Sequence, residues 1–357
     1  MKEFYQQTEH YVQHVHVARW QDEQYRKCRD TFPLGTILSV VDFAENYTLQ
    51  PQNEIQSQYY HSDQVSIMVH ITYRHRPESN NDKRIILKET NFYISDDRCH
   101  DLHYVQHCFQ IFYKQLKERD IQMDQHWIWS DGCAGQFKNS RVFQWLTTLH
   151  KKYNVPHIWN YFETGHGKGE HDGAGACIKT ALRREEMRFT TNPHIRDAQS
   201  IVQWCSATMS NRTKEQRTST GTGNVVRNFW HVVDIDRSCS YTCNTVQGTR
   251  GFHSVRSSNN PLFEIWTRKL ACFCDPCSNG NWDECESNDW VDGWDRVSLV
   301  VDPRAVVETT QLEEGQSSIS ADYNHISDLV QPGIYMFNLI SNPFLFFLFN
   351  HVIKHLS

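Results

Sequence analysis

The order of strand-like and helix-like segments between residues 37 and 188 most constrains the fold of this chain. Short apolar or alternating runs, rich in β-branched residues, predict strands, whereas apolar residues recurring every three or four positions predict helices with one buried side. Strands are predicted at 37–44, 65–75, 84–96, 126–131 and 157–162, and helices at 101–120, 140–153 and 172–188. The order is three strands, then helix, strand, helix, strand, helix.

Three strands followed by strand–helix units predict an antiparallel meander to which parallel strands are added. We therefore expect an α/β fold, namely an RNase H-like mixed five-stranded sheet flanked by helices. A generic α/β domain whose order agrees by chance is the alternative. A C-terminal cysteine-rich extension is expected to follow this core.

Changes in composition divide the chain into five predicted parts. An N-terminal helix and turn occupy 1–36, the core 37–188 and a polar connecting region 189–238, with a helix near 197–209. A cysteine-rich module follows at 239–301, with a strand at 297–301, and a linker and apolar tail at 302–357. Asn and Pro residues interrupt the apolar run at 334–353, so we expect a buried strand or an aberrant end rather than a membrane span. The N-terminus lacks the apolar segment of a signal peptide.

Composition indicates a folded protein without the overall excess of basic residues that is typical of nucleic-acid binding. Hydrophobic residues make up 39% of the chain and aromatic residues 13%, enough for a real core. The net charge of −6 argues mildly against a protein coated for nucleic-acid binding. A cluster of metal-binding carboxylates is itself acidic, however, so a nuclease-type core is not excluded.

Three aspartates occupy the ends of predicted elements that meet at one sheet edge. Asp42 falls in the first strand, Asp131 ends the fourth, and Asp172 opens the last helix, with Glu170 in reserve. Carboxylate oxygens are the ligands that Mg²⁺ and Mn²⁺ prefer, and two such ions can activate and stabilise the oxygens of a phosphodiester exchange. Each aspartate alone could be an ordinary turn or cap residue. Together they predict a catalytic metal site or the relic of one.

Basic residues beside these acids are candidate contacts for a scissile phosphate. His166 and Lys168 lie in the glycine-rich stretch before the last helix, and Lys138 follows the fourth strand. The glycines allow close backbone approach to a ligand or to the sheet. They do not form a P-loop, because no Gly-Lys-Ser/Thr follows at the required spacing.

Six cysteines within 47 residues predict a structural zinc site. Four thiolates, or three with His253, would suffice. Twelve cysteines without a secretory signal favour reduced thiols over disulfides, and free buried thiols are the alternative. The candidate ligands, of which a subset is expected to bind, are Cys239, Cys243, Cys272, Cys274, Cys277 and Cys285.

Three segments resemble transposon-derived eukaryotic proteins with a DDE-type, RNase H-like transposase core. They are VDFAENY at 41–47, SDGCAGQFKN at 130–139 and GHGKGEHDGAGA at 165–176, and the resemblance spans roughly residues 30–300. It implies Mg²⁺-dependent cleavage and transfer of DNA strands in the nucleus, with Asp42, Asp131 and Asp172 at the acidic positions. No membrane partner is expected, and a homo-oligomer is left open.

Two other functions fit the same residues. A catalytically silent, domesticated protein could keep the fold and the zinc module and bind DNA or protein. An RNase H or exonuclease would use the same metal chemistry, and the sequence does not separate hydrolysis from strand transfer.

Overall fold

The structure, a computed structural model, describes residues 2–49, 63–80, 82–167, 169–188, 195–210, 226–239, 241–258 and 263–300. The helices are α1 (Lys2–Thr31), α2 (Leu102–Glu118), α3 (Ser140–Tyr153), α4 (Glu170–Glu186), α5 (Ala198–Thr208), α6 (Asp275–Ser278) and α7 (Asn288–Val291). The strands are β1 (Thr36–Thr48), β2 (Gln64–His75), β3 (Ile86–Ser95), β4 (Gln125–Ser130), β5 (His157–Tyr161), β6 (Val226–His231), β7 (Ser254–Ser257), β8 (Glu264–Arg268) and β9 (Asp295–Ser298). The predicted mixed α/β class is confirmed.

One mixed sheet of nine strands runs through the described residues, in the order β6-β3-β2-β1-β4-β5-β7-β8-β9. The β1–β2 and β2–β3 pairs are antiparallel, whereas β4 is parallel to both β1 and β5. The prediction of five strands is wrong, because the chain beyond residue 188 extends both edges. Strand β6 pairs with β3, and β7 to β9 continue from β5. These added strands have only four to six residues, too few for a clear period.

Alternate residues of the central strands face two separate hydrophobic layers. Leu38 and Val40 of β1 pack in one layer with residues of α1, α4 and α5. Ile37 and Val41 pack in the other, which contains the buried faces of α2 and α3. The sheet is therefore covered on both sides, and the position of a residue along β1 determines which helices it meets.

The predicted central helices begin and end close to where the sequence placed them. Asp101 caps α2 by accepting a hydrogen bond from the Tyr104 amide at 2.9 Å, and Asn139 caps α3 through the Val142 amide at 3.0 Å. Helix α3 ends at Tyr153 and is followed by the C-cap residue Asn154, whose φ of 53° is left-handed. Local capping chemistry thus fixes these boundaries.

Among the helices within the described ranges, we find none with the length and apolar character needed to cross a bilayer. The apolar run at 334–353 and the linker and tail at 302–357 lie outside the described residues.

Candidate metal centres

The pairing register of β1 and β4 places Asp42 beside Asp131. Val40 pairs with Trp129 across the parallel strands, and each aspartate follows two residues later. Leu38, Val40, Trp127 and Trp129 all face the layer that contains α4. Because side chains alternate along a strand, Asp42 and Asp131 point toward this same layer. Both carboxylates therefore face the side of the sheet that α4 covers.

Helix α4 supplies the third carboxylate from its first turn. Asp172 accepts a hydrogen bond of 2.7 Å from the Gly169 amide, which holds its side chain at the N-terminus of the helix. Gly175, one turn later, lies close to the sheet, and a Cβ there would stand 3.1 Å from Cβ of Ala44. A small residue at 175 thus lets α4 approach β1 closely enough to bring Asp172 to Asp42.

A histidine that the sequence analysis missed completes this cluster. His171 Nε2 lies 3.5 Å from Oδ2 of Asp42 and 3.4 Å from Oδ2 of Asp172. One ligand atom from each of these three residues lies within 4.8 Å of the others, so the group could hold a metal ion. His171 is only 4% exposed. Its signal in the sequence was weak, because a polar residue in the first turn of a helix is ordinary.

Burial raises the pKa of both Asp42 and Asp131, and repulsion between carboxylates adds to the shift at Asp42. Desolvation, with added repulsion from Asp131 and Asp172, raises the pKa of Asp42 to about 7. Desolvation also raises the pKa of Asp131, although the Cys133 amide and the nearby His171 oppose the shift. Burial lowers the pKa of His171 despite the neighbouring carboxylates. A bound cation would relieve this repulsion, so the donor set fits a divalent ion.

The cleft beside these residues is open. It has a volume of about 340 Å³. Its lining includes Asp42, His171, Asp172 and Lys179, whose ammonium donates to the Glu45 carbonyl at 3.1 Å. Solvent therefore reaches the acids from one side, while the sheet closes the other.

Glu170, the reserve candidate, takes part in a different network. Its carboxylate accepts a hydrogen bond from the Tyr73 hydroxyl at 2.6 Å and one from Arg29 at 3.3 Å, and it also pairs with Lys88. These partners lower its pKa, although burial opposes them. Glu170 thus ties α4 to α1 and the sheet, and Asp172 is the acid that joins Asp42.

The predicted phosphate contacts lie in different environments. His166 is exposed, and its ring centroid stands 5.0 Å from that of His14. Lys138 is 7% exposed, with its ammonium 5.0 Å from the Tyr161 ring centroid, and burial lowers its pKa to about 8. Lys168 lies outside the described residues.

A second set of polar contacts follows the end of β5. Glu163 accepts from His253 at 2.6 Å and pairs with His14 of α1 at 3.0 Å. His253 also contacts the Lys269 carbonyl at 2.8 Å through its other ring nitrogen. His253 therefore takes part in the ion-pair network around Glu163.

Four of the six predicted cysteine ligands come together. The sulfur atoms of Cys272, Cys274, Cys277 and Cys285 lie within 4.8 Å of one another, so the group could hold a metal ion such as zinc. We call this group the thiol cluster. Cys239 is exposed and lines a separate cleft beside α2 and α3, and Cys243 packs in the layer that contains these helices. The structure thus narrows the subset of cysteines that can bind together to four.

Short turns and neighbouring elements build the thiol cluster. Cys274 precedes α6, and the Ser278 amide donates back to its carbonyl at 2.9 Å, which brings Cys277 round to it. Arg268 Nη1 donates to the Cys277 sulfur at 3.4 Å, and Arg268 Nε donates to the Asp292 carbonyl at 2.7 Å. Val17 and Trp20 of α1 pack against the cluster.

Polar side chains of α1 hold the segment that enters the thiol cluster. The Ala271 amide donates to Gln21 at 3.0 Å and the Phe273 amide to Gln24 at 2.7 Å, while the Trp20 indole donates to the Ala271 carbonyl at 2.8 Å. Gln21 and Gln24 are buried. These contacts satisfy backbone groups that would otherwise be buried without partners.

Comparison with known proteins assigns the chain to a family. A family model described as Domain of unknown function (DUF8701) matches residues 21–266. The chain belongs to the DUF8701 family. No curated protein and no solved structure matched it. The segment shared with DUF8701 contains Asp42, Asp131 and the start of α4 but ends before Cys272. The two candidate metal centres therefore differ in their relation to the family, since only the carboxylates lie within the matched segment.

Proposed function

We propose that this chain carries a DDE-type, RNase H-like transposase core that acts on DNA phosphodiesters with divalent cations. The observation that carries the proposal is that Asp42 of β1 and Asp172 of α4 come within reach of one ion, with Asp131 near Asp42 through the parallel register of β1 and β4. The strand order β3-β2-β1-β4-β5 at the centre of the sheet supports it, as do the acids on β1, after β4 and on α4.

The carboxylates have the properties that such a site requires. Asp42 and Asp172 would hold a divalent cation with Asp131 beside them, and a bound ion supplies Lewis-acid activation of an attacking oxygen. Asp42, with its pKa raised to about 7, would release its proton as the cation enters. The open cleft leaves room for a phosphate, and Lys179 is the cationic group of its lining that would contact it.

The likeness of the three motifs to transposon-derived proteins supports DNA as the substrate and the nucleus as the location. The net charge of −6 means that phosphate attraction must come from local groups rather than from the whole surface. Salt should therefore weaken DNA binding only modestly, because few phosphates are neutralised.

The thiol cluster has a separate role in this proposal. Four cysteine ligands complete a tetrahedral shell and leave no position for substrate, which is typical of structural zinc. Zinc would join β8, α6 and α1 without taking part in the chemistry.

A nicking assay tests the carboxylate assignment. Supercoiled DNA is incubated with Mg²⁺ or Mn²⁺ and either the wild-type chain, Asp131→Asn or Glu118→Gln, and the fraction of nicked circles is followed. Glu118 is an exposed acid at the end of α2 and serves as the matched control. We expect Asp131→Asn to lose about 10³-fold in rate or more, because the two-metal site needs its carboxylate.

Each outcome of the assay decides between the candidate functions. Equal nicking by wild type and Asp131→Asn would rule out Asp42, Asp131 and Asp172 as the catalytic carboxylates. No nicking by the wild type with either ion would favour the catalytically silent interaction protein. If nicking occurs, the products separate hydrolysis from transfer, since transfer joins a labelled donor end to the target strand.

A further inference from the structure

The imidazole of His171 is held in the orientation of a metal ligand. The ring interacts with the backbone of Gly167, which favours a proton on the nitrogen that faces that group. Nε2 is the ring nitrogen that faces the carboxylates of Asp42 and Asp172. A histidine that donates one ring N–H to a backbone carbonyl and presents the other nitrogen to a cation is a recurrent arrangement in metal sites.

The distances fit shared coordination better than direct hydrogen bonds. Charge-assisted hydrogen bonds between imidazolium and carboxylate measure about 2.7–2.9 Å. Two ligands that are each about 2.1 Å from one ion lie roughly 3.0–3.4 Å apart. The two separations from His171 Nε2, 3.5 Å to Asp42 and 3.4 Å to Asp172, are closer to the second range than to the first.

The surrounding chain makes space for this ring and shields it. A Cβ at Gly169 would lie 3.2 Å from Cε1 and 3.3 Å from Nδ1 of His171, so a side chain there would crowd the imidazole. Phe162 lies nearly parallel to the ring, with centroids 6.5 Å apart. The ring is therefore buried and positioned, with its free nitrogen at the wall of the cleft.

We propose that His171 is a ligand of the cation at Asp42 and Asp172, and that this nitrogen makes the site prefer Mn²⁺ to Mg²⁺. Imidazole suits transition metals, whereas Mg²⁺ prefers oxygen ligands throughout. The inference rests on the proposed function only in taking Asp42 and Asp172 as a cation site, and it can be tested without DNA.

Electron paramagnetic resonance of bound Mn²⁺ tests the ligand directly. The full chain is titrated with Mn²⁺ alone, and the electron spin echo of the bound ion is examined for modulation by a coordinated ¹⁴N nucleus. We expect this modulation in the wild type and in His10→Ala, an exposed histidine of α1. We expect it to vanish in His171→Gln, with Mn²⁺ affinity reduced about tenfold or more.

Competition with Mg²⁺ tests the preference. The wild type should bind Mn²⁺ at least about tenfold more tightly than Mg²⁺. His171→Asp supplies oxygen instead of nitrogen, so the ratio of the two affinities should fall toward one. This variant keeps the proposal testable if His171→Gln fails to give a cooperative unfolding transition.

The results separate the two proposals. Bound Mn²⁺ without nitrogen modulation in the wild type, or modulation unchanged in both His171 variants, would overturn the assignment of His171. Modulation that depends on His171, in a chain that nicks no DNA, would support the ligand while removing the proposed function.

Discussion

The two candidate metal sites, namely the cluster of Asp42, His171 and Asp172 and the thiol cluster, are assembled in opposite ways. Asp42 and Asp172 are 130 positions apart in sequence and meet only because β1 and α4 pack together, whereas Cys272 and Cys285 lie on one short segment. The Asp172 side chain is 51% exposed, but Cys274, Cys277 and Cys285 are all buried. The first group is open and formed by the fold, and the second is closed and formed by local turns.

This difference in construction indicates different roles. An open group of hard oxygen ligands retains positions for water or substrate, as catalytic sites require, whereas four soft thiolates enclose their ion. The carboxylates also include a destabilised charge, because burial and repulsion raise the pKa of Asp42 to about 7. Three measurements of stability test this difference.

Loss of the ion at the thiol cluster should have the largest effect. Cys277→Ser removes a ligand that lies among buried sulfurs and beside Arg268. Because a structural zinc ion contributes its binding free energy to folding, we expect the free energy of unfolding to fall by about 4 kcal/mol or more. Urea denaturation and elemental analysis of zinc measure this, with one zinc expected per wild-type chain.

Cys239→Ser is the matched control for that experiment. Cys239 is exposed and stands outside the cluster, so both zinc content and stability should remain those of the wild type. If Cys277→Ser kept its zinc, or if both serine variants behaved alike, the thiol cluster would not be the metal site.

Removal of the charge at Asp42 should have a smaller effect of opposite sign. The pKa of Asp42 is about 7 in the folded protein against about 3.9 in the unfolded chain. Between these values the folded state keeps a proton that the unfolded chain has released, so the free energy of unfolding falls as pH rises through this window. At pH 8 without divalent cations, Asp42→Asn should therefore be about 2 kcal/mol more stable than the wild type, after allowance for solvent screening.

The comparison at low pH provides the check on this result. At pH 4 Asp42 is protonated in the folded state, so wild type and Asp42→Asn should unfold at nearly the same denaturant concentration. Addition of Mn²⁺ at pH 8 should stabilise the wild type and leave the variant almost unchanged. A constant difference between the two proteins from pH 4 to pH 8 would contradict the electrostatic account.

The smallest effect concerns the contact that brings α4 to the sheet. Gly173 and Gly175 are both in α4, but a Cβ at 173 meets nothing within 4 Å, whereas one at 175 would press on Ala44. Gly173→Ala should gain about 1 kcal/mol from helix propensity. Gly175→Ala should stabilise the protein by about 1 kcal/mol less than Gly173→Ala does, as measured by thermal unfolding of the two variants. Equal stabilisation would show that α4 is not tightly seated over the carboxylates.

Local patterns in the sequence predicted the central helices and strands, including the strand that contains Asp42 and the one that precedes Asp131. The helix predicted at 140–153 has those bounds, because Asn139 and Asn154 carry strong capping signals. Asp42 and Asp131 were identified because each lies on or ends an apolar strand, and the parallel register then brings them level. Periodicity and capping are properties of neighbouring residues, so the sequence expresses them directly.

Features that depend on distant packing were not predictable in the same way. The orientation of His171 depends on the approach of α4 to β1, and the separation of Glu170 from Asp172 depends on Tyr73, Lys88 and Arg29. Strands β7 and β8 were not predicted, because they are short and become strands through pairing with β5 and with each other, whereas β9 overlaps the strand predicted at 297–301. The domain division, the DNA substrate and the nuclear location stay predictions.

The glutamines of α1 have a consequence for the timing of assembly. Gln21 and Gln24 bind the backbone of Ala271 and Phe273, sequence separations of 250 and 249 residues. At a synthesis rate of about 5–20 residues per second, Ala271 and Phe273 are made roughly 12–50 s after the glutamines of α1. The two glutamines are compatible with this delay, because their side chains can bind water until the later segment arrives. The contacts between α1 and the segment at 271–273 are thus among the last to form.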